Sequence, residues 1–180
     1  GVFQDLWGAG DISQSVSAYT ADETLRLSAV WRCVTLMSET IGGFPFKAYL
    51  RGDDTRVAVD VQPTILVAPS ASVSSSHWRS SVITSQLLHG FAAGVVTVVN
   101  QQGSPEEIEL LDPTRCTISS QFGEQPVVVV DGMPLAPDAA WYLPGFTMPG
   151  SAVGLSPLTY AARSMNVGAS ASDMAEDWYQ

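Results

Sequence analysis

Residues 28–51, SAVWRCVTLMSETIGGFPFKAYLR, combine the signals of a helix, a helix stop and a β-strand. Apolar side chains recur every three or four positions as far as Ile41, which is the spacing of an amphipathic helix. The pair Gly42-Gly43 supplies the left-handed conformation that ends many helices, and Pro45 prevents the helix from continuing. The sequence therefore predicts a helix that stops at the glycine pair and a strand from Phe44 to Leu50.

This first helix carries apolar residues on two sides. Thr20-Ala21-Asp22-Glu23 has the pattern of a capping box and predicts where the helix begins. One apolar stripe consists of Leu27, Val30, Trp31, Val34, Met37 and Ile41. The opposite side carries Leu25, Ala29 and Leu36. A helix with two apolar sides must be covered twice, by its own core and by a second partner, unless one large core encloses it.

Helical and β patterns follow one another in the middle of the chain. Gly52-Asp53-Asp54 predicts a hairpin turn with a return strand over 55–59, and 64–67 predicts a single helical turn. A second helix is predicted from Ser75 to His89, where Gly90 ends it. Five strands are predicted after it, over residues 91–100, 106–111, 115–120, 125–130 and 139–143. The expected fold class is α+β, with amphipathic helices packed on an antiparallel meander.

The chain is predicted to end in a long helix that is apolar on two sides. Ser156 can cap this helix, and Pro157 takes the first helical position, where its missing N–H costs nothing. One stripe consists of Leu158, Ala161, Ala162, Met165 and Ala169, and the other of Val167, Ala171, Met174 and Trp178. We expect contacts with an adjacent subunit or another element of the chain at Leu25, Leu36, Val167, Met174 and Trp178.

Length and composition limit the possible classes of protein. The 180 residues suit one domain, and we assign residues 1–20 to a flexible polar arm and 21–180 to the domain. Hydrophobic residues make up 46% and charged residues 14%, which are few charges for a free monomer. This composition favours a surface that neighbours cover, although a surface rich in Ser, Thr and Gln would fit as well.

Charge and targeting signals add further expectations. The net charge of −10, with the cations scattered singly, argues against a protein that grips nucleic acid through its phosphates. No signal peptide and no apolar run of membrane-spanning length is recognisable in the sequence. We therefore expect a soluble protein made in the cytoplasm.

The sequence carries no recognisable catalytic or metal-binding motif. His77 and His89 are twelve residues apart on the predicted second helix, about 18 Å along its axis, so they cannot share a metal. No zinc spacing, P-loop or serine-nucleophile motif occurs, and Pro157 removes the amide that an oxyanion hole beside Ser156 would need. Cys33 and Cys116 are interpreted as buried reduced thiols. We predict no catalytic residue, no metal and no cofactor.

Four segments in order resemble the N-terminal half of the portal proteins of long-tailed phages. Ser28–Tyr49 is similar to the family's helix–strand opening, including Cys33, Ser38-Glu39-Thr40-Ile41 and Pro45. The other three segments are Leu87–Ala92, Ile108–Ile118 and Gly154–Leu158. The chain departs from the family pattern at Ala68-Pro69-Ser70, Gly90–Gly94 and Trp141–Pro144, in the middle more than at either end.

The resemblance implies the wing region of a structural subunit in a ring of twelve copies at one capsid vertex of the virion. It implies a passage for DNA packaging and ejection, through which double-stranded DNA moves without sequence-specific binding. The implied partners are other copies of the chain, the major capsid protein, the large terminase subunit and head–tail connector proteins. The stem and clip of the ring would lie beyond residue 180. Two alternatives remain at this point: another virion component, such as a capsid or connector subunit, or a hydrolase that uses a serine with His77 or His89.

Overall fold

The protein is represented by a computed structural model. It describes residues 28–52, 55–119 and 125–157, together with Leu25 and Ala161. These residues combine helices with antiparallel sheets, which confirms the α+β class. The predicted capping box, the arm over residues 1–20 and nearly all of the long final helix lie outside the described residues, so the boundaries 1–20 and 21–180 stay a prediction.

Helix α1 and the hairpin after it follow the helix–strand order predicted over residues 28–51, with a later start of the strand. Helix α1 spans Ser28–Gly43 and ends at the glycine pair, as predicted, but neither Gly42 nor Gly43 takes the predicted left-handed conformation. Strand β1 (Tyr49–Arg51) pairs antiparallel with strand β2 (Arg56–Ala58), so β1 begins five residues later than predicted. Pro45 has no N–H for a strand ladder, and the Ala48 N–H donates to the Gln62 side-chain oxygen at 2.6 Å. The Gln62 amide also donates to Val59 O at 2.7 Å and closes the base of the hairpin.

Helices α2 and α3 lie where the sequence predicts them. The short helix α2 spans Thr64–Val67, and α3 spans Ser75–His89. The Ser74 hydroxyl accepts a hydrogen bond from the His77 N–H at the start of α3. Gly90 ends α3 with φ of 83°, a left-handed conformation that glycine adopts without strain.

The strands form two separate three-stranded sheets and not one continuous meander. The central sheet has the order β4–β3–β8, with β3 at Phe91–Val99, β4 at Pro105–Leu110 and β8 at Ala140–Pro144. The second sheet consists of β5 (Cys116–Ser119), β6 (Val127–Val130) and β7 (Met133–Pro134). A 3₁₀ turn over Pro113–Arg115, capped by the Asp112 carboxylate, separates β4 from β5. This turn redirects the chain, and β8 returns to pair with β3.

The core lies between α3 and the central sheet. Trp78 and Val82 from α3 pack against Ala92 of β3 and Ile108 of β4, and all four are buried. The Trp78 indole N–H donates to Ile108 O at 2.9 Å, so its polar group is satisfied. Its ring lies 5.4 Å from the Trp141 ring on β8, at an interplanar angle of 51°. One tryptophan therefore joins α3 to both outer strands of the sheet.

Helix α1 packs on α3 through small residues. Ser38 and Gly42 are the buried residues of α1. A Cβ added at Gly42 would lie 2.8 Å from the Ser80 backbone nitrogen, so the two backbones approach too closely for a side chain there. The Arg79 guanidinium donates to Gly42 O at 3.0 Å and lies 5.1 Å from the centre of the Phe46 ring. The end of α1 is thereby fixed against the start of α3.

Three glycines bring the segment before residue 157 against the end of α3. The Gly145 N–H donates to Gly90 O at 2.7 Å, and a Cβ added at Gly154 would lie 1.9 Å from that same oxygen. The Ser156 hydroxyl donates to Leu88 O at 2.9 Å. We call this contact among Gly90, Gly145 and Gly154 the glycine junction. It fixes where the chain leaves the described domain at Pro157.

The carboxylate of Glu109 on β4 connects the sheet to the loop between α2 and α3. It accepts hydrogen bonds from Ser70 Oγ at 2.7 Å and from Ser72 Oγ at 2.9 Å. These bonds, with further ones from the Ala71 and Ser72 amides, lower the pKa of Glu109. Because folding lowers the pKa of Glu109, its ionised carboxylate contributes fully to stability above the pKa of the unfolded state. This contribution is lost as the pH falls through the pKa of the folded state.

We expect Glu109→Gln to lower the free energy of unfolding at neutral pH and to matter progressively less as the solution is acidified. The measurement is urea unfolding of both proteins in a series of buffers from neutral to acidic pH. Glu106→Gln is the matched control, because the structure gives the Glu106 side chain no hydrogen-bond donor among the described residues. A difference between wild type and Glu109→Gln that stays constant across the series would contradict the prediction.

Candidate subunit interface

Exposed apolar side chains concentrate near the start of the described chain. Half of the large apolar side chains that are exposed among the described residues lie between positions 31 and 61. They are Trp31, Leu36, Met37, Phe44, Phe46, Tyr49, Leu50, Val57 and Val61. Apolar side chains exposed in such numbers are typical of an interaction surface. We call the exposed side of α1 together with the β1–β2 hairpin the apolar arm face.

The β1–β2 hairpin is exposed along its whole length. Every residue of both strands is exposed, including Tyr49, Leu50 and Val57. An isolated two-stranded hairpin is at best marginally stable in water and needs a packing partner to be firmly folded. The exposure of its apolar side chains indicates that this partner is absent from the described residues.

The buried side of α1 differs from the predicted one. Trp31 is 56% exposed and Met37 is 46% exposed, although both belong to the stripe predicted to face the core. Val30, Val34 and Ile41 of that stripe are half-buried. The side against α3 is formed instead around Ser38 and Gly42, because small residues allow the close helix approach that large ones prevent. Cys33, predicted as a buried thiol, is exposed, and Cys116 is half-buried.

The residues predicted to contact a partner fall into two groups. Leu36 is 68% exposed, the most exposed large apolar residue of α1, and Leu25 is helical and half-buried. The other three, Val167, Met174 and Trp178, lie outside the described residues. Their role in subunit contact stays a prediction. The hairpin residues of the apolar arm face were not predicted as contacts. The sequence did carry a signal for them, because Tyr49, Leu50 and Val57 are large apolar residues in a short predicted hairpin.

Charge is distributed unevenly along the chain. Six of the eight Lys and Arg residues lie within residues 26–79. Residues 80–150 contain seven acids and a single cation, Arg115, whose guanidinium pairs with Asp131. The Arg115 side chain lowers the pKa of Asp131 by hydrogen bonding and charge. Residues 80–150 are therefore acidic, whereas most of the positive charge lies within residues 26–79.

Groups that could support chemistry are far apart or have structural partners. Among the described residues, no three His, Cys, Asp or Glu side chains are close enough to hold a metal ion. His77 is exposed in the first turn of α3, and burial lowers the pKa of His89 at its end. A groove of about 400 Å³ beside Val128 and Tyr142 is lined by apolar side chains and Gln125. Within the part of the chain that is described, no helix has the length and apolarity to span a membrane.

Comparisons with known proteins identify similar sequences and folds. The family model described as "Phage portal protein" matches residues 28–180. A "Probable portal protein" of Streptomyces phage phiC31 is 26% identical, over 97% of this chain and 41% of that protein. An HK97 family phage portal protein from Corynebacterium diphtheriae has a TM-score of 0.68 at 18% identity, over 91% of this chain and 50% of that one.

Two further similar structures come from the neck of a gene transfer agent particle. The neck of the empty particle, computed with C6 symmetry, has a TM-score of 0.65 at 20% identity, over 87% of this chain and 45% of that one. The neck of the native particle, computed with C12 symmetry, has a TM-score of 0.59 at 19% identity, over 88% and 45%. The chain thus spans half or less of the length of these relatives. Because the family model matches most of its residues, the chain belongs to the phage portal protein family.

Proposed function

We propose that this chain is the wing region of a subunit in a portal ring at the capsid vertex. There the ring forms the passage for DNA packaging and ejection and the site where head and tail connect. The observation that carries the proposal is the apolar arm face, which has no cover among the described residues, in a chain that belongs to a family of structural proteins. A subunit surrounded by copies of itself would bury such a face.

The proposed ring has twelve copies. Support comes from the gene transfer agent neck computed with C12 symmetry, to which this chain is similar in fold. Rings require a heterologous contact, in which two different surfaces of each copy meet. The uneven distribution of apolar side chains and charge over this chain suits two such different surfaces.

The proposed partners besides other copies are the major capsid protein, the large terminase subunit and the head–tail connector. Double-stranded DNA would pass without sequence-specific binding. The net charge of −10 supports this part of the proposal, because an acidic surface does not hold phosphates as it would in a DNA-binding protein. The subunit itself would be structural and would catalyse no reaction.

The test is assembly of the full-length natural protein, measured by mass photometry and by electron microscopy of the particles. We expect a closed ring for the wild type. Leu36→Asp should weaken ring formation about tenfold or more, because it places a charge in the apolar arm face, while the melting temperature of the monomer changes little. Particles with five- or sixfold shell lattices, or a strictly monomeric wild type, would contradict the proposal.

Ala136→Asp is the control for the added charge. Ala136 is exposed in the turn before β8, away from the apolar arm face in sequence, and only its backbone oxygen accepts hydrogen bonds. The same charge at this position should leave the ring intact. If both variants disrupt the ring equally, the effect is one of net charge and Leu36 is not at a subunit contact.

A further inference from the structure

Two arginines lie directly opposite each other on the β1–β2 hairpin. Arg51 of β1 pairs in register with Arg56 of β2, and both side chains are exposed. Like charges at directly opposite positions of an antiparallel pair repel each other and weaken the hairpin. Neither arginine forms an ion pair with any carboxylate of the described residues. The hairpin therefore presents two neighbouring positive charges on the face that it shares with Tyr49, whereas Leu50 and Val57 lie on the opposite face.

The β3–β4 hairpin carries acidic side chains at the end where its turn lies. Glu106 and Glu107 are half-buried, and neither forms an ion pair among the described residues. Glu107 pairs in register with Val98, and Val98 and Val99 are exposed. Partly buried carboxylates without a cation lose hydration without gaining a partner. This end of the central sheet thus presents two unpaired negative charges beside exposed valines.

We propose that the β1–β2 hairpin of one copy docks on the β3–β4 end of the next copy, with Arg51 and Arg56 facing Glu106 and Glu107. The contact rests on the proposed function, a ring of this chain, and names its two surfaces. It brings the two arginine side chains of one apolar hairpin against two carboxylates beside exposed valines, so charge and hydrophobicity both match at the contact. It is heterologous, because the two surfaces differ, and successive contacts of this kind close into a ring.

A second copy suits the hairpin better than nucleic acid does. Tyr49 shares the face of the two arginines, and Leu50 and Val57 make the opposite face apolar. A phosphate backbone would leave this apolar surface exposed to water. The net charge of −10 also disfavours nucleic acid as the occupant. Asp53 and Asp54 of the hairpin turn lie outside the described residues, and the experiment includes them for that reason.

The experiment reverses the charges in the full-length natural protein and measures ring formation by mass photometry. We expect Arg51→Glu with Arg56→Glu to weaken assembly about ten- to a hundredfold, and Glu106→Lys with Glu107→Lys to do the same. A protein carrying all four substitutions should regain the ring, because each copy again offers complementary surfaces. Assembly of the wild type should weaken with added salt. Circular dichroism of each variant establishes that its subunit is folded.

Each other outcome overturns the inference. If the arginine variant forms rings as well as the wild type, the arginines are neutralised elsewhere or face solvent. If Asp53→Asn with Asp54→Asn weakens assembly while the glutamate variant does not, the relevant charges lie in the turn. If the arginine variant instead loses binding to a double-stranded DNA duplex and keeps its ring, the partner is nucleic acid. A wild type that forms no ring under any condition overturns the proposed function as well, whereas a ring that is insensitive to these four residues overturns only this contact.

Discussion

Trp78→Ala should lower the free energy of unfolding by about 3–5 kcal/mol, the range measured when a large aromatic side chain is removed from a core. Trp78 is buried between α3 and the central sheet, where it packs on Val82, Ala92 and Ile108. Its removal also breaks the contact with the Trp141 ring at 5.4 Å. Urea unfolding followed by far-ultraviolet circular dichroism measures the change without relying on tryptophan fluorescence.

Trp78→Phe separates the packing of this residue from its hydrogen bond. Phenylalanine keeps an aromatic ring in the core but cannot donate to Ile108 O, to which the indole donates at 2.9 Å. We expect a smaller loss, about 1–3 kcal/mol, from the lost donor and the reduced volume. A loss below about 1 kcal/mol for Trp78→Ala would show that the residue does not hold the helix to the sheet as the structure indicates.

Gly154→Ala should destabilise the protein by about 1–3 kcal/mol, because overpacking at a close contact forces the surrounding chain to move. The added Cβ would lie 1.9 Å from Gly90 O and 2.9 Å from Gly90 C, which are backbone atoms at the end of α3. The glycine junction would open, and the hydrogen bond from Ser156 Oγ to Leu88 O would lengthen. Thermal unfolding and hydrogen exchange of the Leu155 amide, which donates to Phe146 O at 2.7 Å, measure both effects.

Gly43→Ala is the matched control for this substitution. A Cβ at Gly43 meets nothing within 4 Å. Since alanine favours the helical conformation more than glycine does, Gly43→Ala should be neutral or stabilise by up to about 1 kcal/mol. Equal destabilisation by both substitutions would indicate a general intolerance of alanine for glycine and not a close contact at the glycine junction.

The glycine junction links the fold to the proposed ring. Pro157 follows it immediately, so the position of the junction fixes where the predicted final helix begins. A subunit whose final helix starts from a displaced point would present its predicted contacts, Val167, Met174 and Trp178, in a different place. Gly154→Ala is therefore expected to reduce ring formation in addition to lowering stability.

The order of helices and strands was predictable from the sequence because its signals are local. Pro45 prevents α1 from continuing, and the helix ends at Gly43 without the predicted left-handed glycine. Ser74 and Gly90 define α3 by a side-chain acceptor at its start and a left-handed residue at its end. Apolar runs and the turns between them identified five of the six strands of the two three-stranded sheets, and β7 was not predicted. The family resemblance added what these signals cannot contain, the assembly that is proposed for the chain.

The candidate interface was predictable only in part. Leu36 was identified from its position opposite the main stripe of α1; it is exposed, and its role in subunit contact stays a prediction. The hairpin was expected, but nothing local distinguishes a hairpin that packs on its own domain from one that does not. Arg51 and Arg56 lie opposite each other because of the register of the hairpin. The sequence does not fix the length of the turn and so does not fix this register.

Taken alone, the sequence determined the α+β class, the ends of the helices and the positions of most strands, since these depend on the conformational preferences of single residues and on short-range periodicity. The tertiary structure alone decided which side of α1 is buried, because close approach to Ser80 favours Ser38 and Gly42 over Trp31 and Met37. It also decided that β8 pairs with β3 and that Gly90, Gly145 and Gly154 meet. These contacts join residues far apart in the chain, and their energies come from shape and distance that no local pattern records.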